Sequence, residues 1–137
     1  MTTVNDFLRE NVDTSDQTKE VKFGRFKSPF VIKALGADEN SNLQKQATKK
    51  NFNKKTRQWV SEVNQDKYVD LMIEASVVTP DLNNAELQKN WDSIADPSGL
   101  LKKMLLAGEY GELATQIQEI SGFDAEDINY QRDEVKN

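Results

Sequence analysis

The strongest constraint on what this chain can fold into is a helical hydrophobic period that recurs, with interruptions, from Tyr68 to Ile120. Tyr68, Leu71, Met72 and Ala75 fall at i, i+3, i+4 and i+7, which lines one face of an amphipathic helix. Val77-Val78-Thr79-Pro80 stops that helix. Asn83, with Glu86 three residues on, predicts the next start as a variant capping box, and that helix presents Leu87 and Trp91. Asp96-Pro97 predicts another start, a capping side chain followed by proline in the first turn. Leu100, Leu101, Met104 and Leu105 give it a broad apolar face. After Gly108 the period continues through Tyr110, Leu113, Ala114, Ile117 and Ile120, and Gly122 is placed as a left-handed C-cap with Phe123 folding back.

The first half reads differently. Val4, Phe7 and Leu8 predict a short opening helix ending near Asn11, and residues 12–18 a polar linker. Val21 and Phe23 alternate about Lys22, Gly24 allows a bulge before Phe26, and Lys27-Ser28-Pro29 supplies a turn into a second strand, Phe30 to Leu35. Residues 38–50 read as a polar helix with Leu43 and Ala47 on its apolar stripe. Residues 58–63 read as a third strand, and Asp124 as the cap of a last weak helix across 125–135. The expected fold is mainly α with a small amino-terminal β-hairpin (α+β), a compact helical domain. One domain is expected over 1–137: an amino-terminal helix, hairpin and basic helix (1–63), a helical core (64–123) and a weakly ordered tail (124–137). At this length about two-thirds of the unfolded surface can be buried. With 36% hydrophobic and 30% charged residues the core must be lean.

The chain has no cysteine and no histidine, which removes disulfides, cysteine-based metal sites, thiol nucleophiles and imidazole acid–base chemistry. Ser76, Ser93, Ser98 and Ser121 therefore have no histidine to activate them. Carboxylates remain plentiful, but Asp124, Glu126 and Asp127 lack the glycine and oxygen spacing of a calcium loop and suit a helix start. Asp92 and Asp96, four apart, form a pair too common to carry weight. Gly108-Glu109-Tyr110-Gly111 has neither the lysine nor the strand–loop–helix setting of a phosphate loop. No catalytic residue, cofactor or metal is expected. The opening residues lack the basic and apolar regions of a signal peptide, and no run approaches the roughly 20 apolar residues that span a bilayer. A cytoplasmic protein with no membrane role is expected.

Two features suggest binding. Residues 1–60 hold 12 basic against 7 acidic side chains, whereas residues 61–137 hold 6 against 16. Such a division allows attraction within one molecule or between copies, so self-association is one expectation. Lys45, Lys49, Lys50, Lys54, Lys55 and Arg57 crowd together with Phe52 and Trp59 interleaved, a composition that can hold phosphates and stack bases. The acidic whole, with pI near 4.8, argues against nucleic acid, and a solvated helix and loop is the plainer reading. Nucleic-acid binding or regulation through residues 45–59, with Lys49, Lys50, Lys54 and Lys55 as the electrostatic contacts, stands as the alternative. The second feature is the wide apolar face of Leu100 to Leu106, where a flexible Met suits adaptable contact.

The run Ala75-Ser76-Val77-Val78-Thr79-Pro80-Asp81-Leu82-Asn83-Asn84-Ala85-Glu86-Leu87-Gln88 resembles the phage tail assembly chaperones of the XkdN-like family. So do the run from Leu100 to Tyr110, Ser121-Gly122-Phe123-Asp124 and the ending Glu134-Val135-Lys136-Asn137. Phe7-Leu8 and the hairpin about Phe26 and Phe30-Val31-Ile32 match the family's general layout. The resemblance implies a non-enzymatic chaperone that coats the tape-measure protein, and meets the tail-tube protein, while a long tail assembles. It also implies action in the host bacterial cytoplasm and absence from the mature virion. The expected client face is Leu82, Leu101, Met104, Leu105 and Tyr110.

Overall fold

Three β-branched residues, Val77-Val78-Thr79, decide the architecture. The computed structural model describes residues 3–13 and 17–123. In it, these three residues form strand β5 (Val77–Thr79), which pairs antiparallel with β2 (Phe30–Lys33), itself antiparallel to β1 (Thr18–Val21). The sheet order is β1-β2-β5, so its third strand comes from the second half of the chain. A second sheet is the hairpin of β3 (Thr48–Asn53) and β4 (Gln58–Val63).

The expectation of a mainly helical domain with one amino-terminal hairpin is therefore corrected: strands are spread along the chain and the fold is α+β. The physical reason is that three residues are too few to display a two-residue period, so β5 passes for a helix stop. Its β-branched side chains fit a pleated sheet as well as they break a helix. The amino-terminal hairpin is present but open. Residues 22–29 connect its strands, and Phe23 and Phe26 turn back to meet the Phe30 ring edge-on at 5.6 and 5.1 Å.

The helices follow their signals closely. They are α1 (Ala37–Ala47), α2 (Gln65–Ser76), α3 (Ala85–Asn90), α4 (Pro97–Met104) and α5 (Ala107–Ile120). The Asp96 carboxylate caps α4 by accepting from Gly99 N–H at 3.0 Å. A Cβ on Gly99 would stand 2.1 Å from that carboxylate, so only glycine leaves the cap its place. Asn84, not Asn83, caps α3, accepting from Leu87 N–H at 2.9 Å, because Asp81 draws the Asn83 N–H into a turn at 3.0 Å. Gly122 takes φ of +102° after α5. The opening residues form two 3₁₀ turns, Val4–Phe7 and Arg9–Asn11, in place of one helix, and all are exposed. Residues 48–50, read as the end of a helix, belong to β3. The expected helix 125–135, the tail 124–137 and linker residues 14–16 lie outside the described residues.

One cluster of buried side chains joins the three-stranded sheet to the helices. Ile32, Ile73, Leu100, Leu101, Leu113 and Ile117 are fully enclosed within it. Ser76, also fully buried, donates to the Lys33 carbonyl at 2.6 Å and fixes the end of α2 to β2. Gln88 donates to the Leu82 carbonyl at 2.8 Å and accepts from Ala95 N–H at 3.1 Å, which organises the α3–α4 turn. Among the described residues no buried side-chain nitrogen or oxygen lacks a partner. That satisfaction is what a stable interior requires.

Candidate functional site

The apolar residues expected to face a client sit in the interior. Leu101 is 0% exposed, Leu82 4%, and Met104 and Leu105 6% each. Capping at Asp96 sets the phase of α4, and that phase turns Leu100, Leu101 and Met104 inward. Met104 borders an apolar cleft of about 160 Å³ shared with Phe26, Pro29, Phe30, Thr79 and Pro80, and Leu82 borders a separate cleft with Leu43, Leu71 and Ala75. Tyr110 is half-buried, and its hydroxyl donates to Asp70 Oδ1 at 2.7 Å. Lys102 Nζ reaches the other oxygen of Asp70 at 2.7 Å and lies 5.9 Å from the Tyr110 ring centre. Burial first, and the Asp70 carboxylate second, push the Tyr110 hydroxyl well above the ordinary tyrosine range, so it stays a donor.

The expected electrostatic residues sit on hairpin β3–β4. Lys49 and Lys50 are on β3, Lys54, Lys55 and Arg57 in its turn, and Lys45 in the last turn of α1. The turn is held by Asn53, whose side-chain oxygen accepts from Lys55 N–H at 2.9 Å and Thr56 N–H at 3.3 Å. Arg57 closes it at φ of +56°. Register then sets Phe52 opposite Trp59, with ring centres 5.3 Å apart. Because side chains alternate along a strand, Lys50, Phe52, Trp59 and Ser61 share one face, while Lys49, Asn51, Val60 and Glu62 share the other.

Both faces are open. Every residue of the hairpin except Thr48 is exposed, including Phe52 at 48% and Trp59 at 69%. A lone two-stranded hairpin is marginally stable in water, so one displaying exposed aromatics suits a contact with something beyond itself. None of its five cations joins an ion pair among the described residues; the pairs there are Arg25–Glu109, Lys33–Glu39 and Lys102–Asp70. The sequence reading set Phe52 and Trp59 beside the cations but gave no binding role to Val60 and Val63 of its strand 58–63; both are exposed, Val63 on the Trp59 face and Val60 on the other. The alternation itself was the available signal.

A model of the phage XkdN-like tail assembly chaperone proteins matches residues 4–136. The chain belongs to that family. Among solved structures the chaperone is similar to the crystal structure of the protein yqbn, at 22% identity and a TM-score of 0.71. The match covers 90% of this chain and 99% of that one, and at this identity it speaks for the fold alone. No match is found among curated proteins. Family membership implies tail-protein partners for the chaperone. Among its described residues no helix is long and apolar enough to cross a membrane, and no cluster of carboxylates is arranged to hold a metal ion.

Proposed function

We propose that this chaperone binds the tape-measure protein of a long-tailed phage while the tail assembles, without catalysis, and that hairpin β3–β4 is the main contact. The observation that carries this reading is the exposed aromatic pair Phe52 and Trp59, in ring contact at a tilt of 56°, on a hairpin exposed on both sides. An unpackaged tape-measure chain offers repeated apolar helical stripes. A binder that later leaves needs a modest apolar area, since burial contributes roughly 25 cal/mol per Å² and association costs subtract from it. Aromatic anchors ringed by cations meet that need and resist non-specific collapse. Among the residues first expected at the client face, Met104 contributes through the cleft. Leu82, Leu101 and Leu105 act from beneath by holding α4, and Tyr110 by tying α5 to α2 through Asp70. The chaperone works in the host cytoplasm and leaves before the virion matures, with the tail-tube protein as a second partner.

Co-expression with the tape-measure protein of the same tail gene cluster tests this. The expected result is a soluble tape measure that co-elutes, and a loss of capture in a Phe52→Ala, Trp59→Ala variant that still melts cooperatively. Full capture by that variant, or no association with tape measure demonstrably present, overturns it. A second reading has its own observation: exposed rings on a hairpin that carries Lys49, Lys50, Lys54 and Lys55 also suit single-stranded nucleic acid. It predicts a mobility shift at low salt that fades as salt rises and as these lysines are neutralised.

A further inference from the structure

Residues 3–13 are exposed throughout, although they hold four large apolar side chains, Val4, Phe7, Leu8 and Val12. Among the described residues, the hydrogen bonds of 3–12 stay inside the segment. Leu8 N–H donates to the Asn5 carbonyl at 3.3 Å, Asn11 N–H to the Leu8 carbonyl at 2.9 Å, and the Asn11 side-chain amide to the Asn5 carbonyl at 2.6 Å. Positions i and i+3 eclipse in a 3₁₀ turn, so Val4 and Phe7, 79% and 71% exposed, make one apolar knob in water. A folded turn that presents an aromatic ring outward has the form of one half of a contact.

The body carries a receptor of matching size. The cleft at Met104 holds about 160 Å³ between Phe26, Phe30 and Pro80. An apolar cavity of about 150 Å³ takes up a benzene ring, so there is room for one aromatic side chain. Small-molecule sites start at roughly 300 Å³, which this cleft does not reach. The Met104 thioether also suits an aromatic neighbour.

Charge matches as well. Loop 22–29 holds Lys22, Arg25 and Lys27 and no acid, and Lys27 lines the cleft. Arg25 is paired with Glu109, whereas Lys22 and Lys27 join no ion pair among the described residues. Residues 3–13 carry Asp6, Glu10 and Asp13 against Arg9, and Asp6 and Glu10 flank Phe7. Position favours a contact between molecules. The Gln17 carbonyl accepts from Ala34 N–H at 2.8 Å, which sets the start of β1 beside the end of β2. The cleft opens at the other end of β2, at Phe30, and the exposed Phe7 is not seated in the cleft of its own molecule.

We propose that residues 3–13 of one copy dock on a second copy, Phe7 entering the cleft between Phe26 and Met104 while the arm's carboxylates meet Lys22 and Lys27. Each copy has one such arm and one such cleft, so the contact repeats from copy to copy. The docking stands on size and charge. Its consequence rests on the function proposed above: Met104 serves client binding by joining copies, and hairpin β3–β4 of each copy stays open to the client.

The absence of cysteine makes the test direct. Full-length chains bearing a nitroxide on Asn5→Cys are mixed with separate, isotope-labelled native chains at about 1 mM, enough to populate a weak contact. The amide signals of Phe26, Ser28, Phe30 and Met104 in the native chains are expected to broaden. Adding Phe7→Ala to the labelled chain should weaken association about tenfold or more and leave the urea midpoint unchanged, since Phe7 is exposed. Lys22→Glu with Lys27→Glu in the receiving chain should also weaken it, and Asp6→Lys with Glu10→Lys in the arm should restore it. Signals that stay sharp overturn the proposal, as does broadening that Phe7→Ala leaves undiminished or a charge reversal that the arm does not rescue. Broadening confined to residues 48–63 places the arm on the hairpin and overturns the cleft. Broadening seen only within the spin-labelled molecule itself, when that chain is isotope-labelled and diluted into native chains, overturns the second copy. No client is present, so the docking stands or falls apart from the proposed function. Capture of the tape measure then reads the consequence: equal capture by Phe7→Ala and native chains, with docking observed, removes the role of joined copies.

Discussion

The helical body and hairpin β3–β4 solve opposite problems. In the body, Leu100, Leu101, Leu113 and Ile117 are fully enclosed, and the polar groups among them, Ser76 and Gln88, are hydrogen-bonded to specific carbonyls and amides. In the hairpin, the large side chains Phe52 and Trp59 are open to water, and a turn, a ladder of backbone bonds and the contact of those two rings hold the strands together. A lean chain has few apolar residues to spend, and exposing Phe52 and Trp59 forgoes their contribution to the core. That contrast marks the hairpin as the region shaped for contact.

The sharpest way to break the comparison is to truncate one apolar anchor in each region. Leu101→Ala is expected to cost about 2–5 kcal/mol of stability, since it leaves a cavity in close-packed surroundings. Phe52→Ala with Trp59→Ala should shift the denaturant midpoint far less, because both rings are already in contact with water. Urea melts of the two variants settle it. A hairpin variant that loses as much as Leu101→Ala would make the hairpin part of the folding unit and end the distinction.

The same contrast explains what the sequence disclosed. Helices α2, α4 and α5 were legible because a 3.6-residue period accumulates over many positions, and because Asp96-Pro97 and Gly122 mark boundaries with their own chemistry. Strand β3 was not. Thr-Lys-Lys-Asn-Phe-Asn is poor in strand formers, and it becomes a strand through its partner β4, a tertiary fact. Strand β5 was too short for any period to show. The cations of the candidate site were plain as a cluster, whereas the face-to-face register of Phe52 and Trp59 depends on the turn that Asn53 builds. The period through Leu101, Met104 and Leu105 states that they share a face. Whether that face looks inward depends on what packs against it, here β2, α2 and α5.

Within the body, one methyl group should be felt. Asp96→Ala removes the α4 cap and is expected to cost about 1 kcal/mol. Gly99→Ala beside an intact Asp96 expels the same carboxylate, and that loss offsets the helix propensity gained with alanine. In the Asp96→Ala background there is nothing to expel, so Gly99→Ala should stabilise by up to about 1 kcal/mol. Strict additivity across this cycle would show that the cap is not what glycine protects.

The smallest expected effect is electrostatic and lies where loop 22–29 meets α5. The Glu109 carboxylate accepts from the Arg25 guanidinium and, at 2.8 Å, from Leu106 N–H at the start of α5. Both bonds favour the charged form, the Arg25 contact most, and hold the Glu109 carboxyl below its ordinary value. A carboxyl lowered on folding adds stability that is complete above the unfolded pKa, about 4.3, and is lost as pH falls through the folded value. Glu109→Gln removes that contribution. The gap between native and variant urea midpoints should therefore be widest near neutral pH, narrow below about pH 4, and shrink in high salt because Arg25 is half-exposed. A gap that stays constant from neutral to acidic pH would mean that Glu109 supports α5 through its hydrogen bond to the helix start and not through its charge.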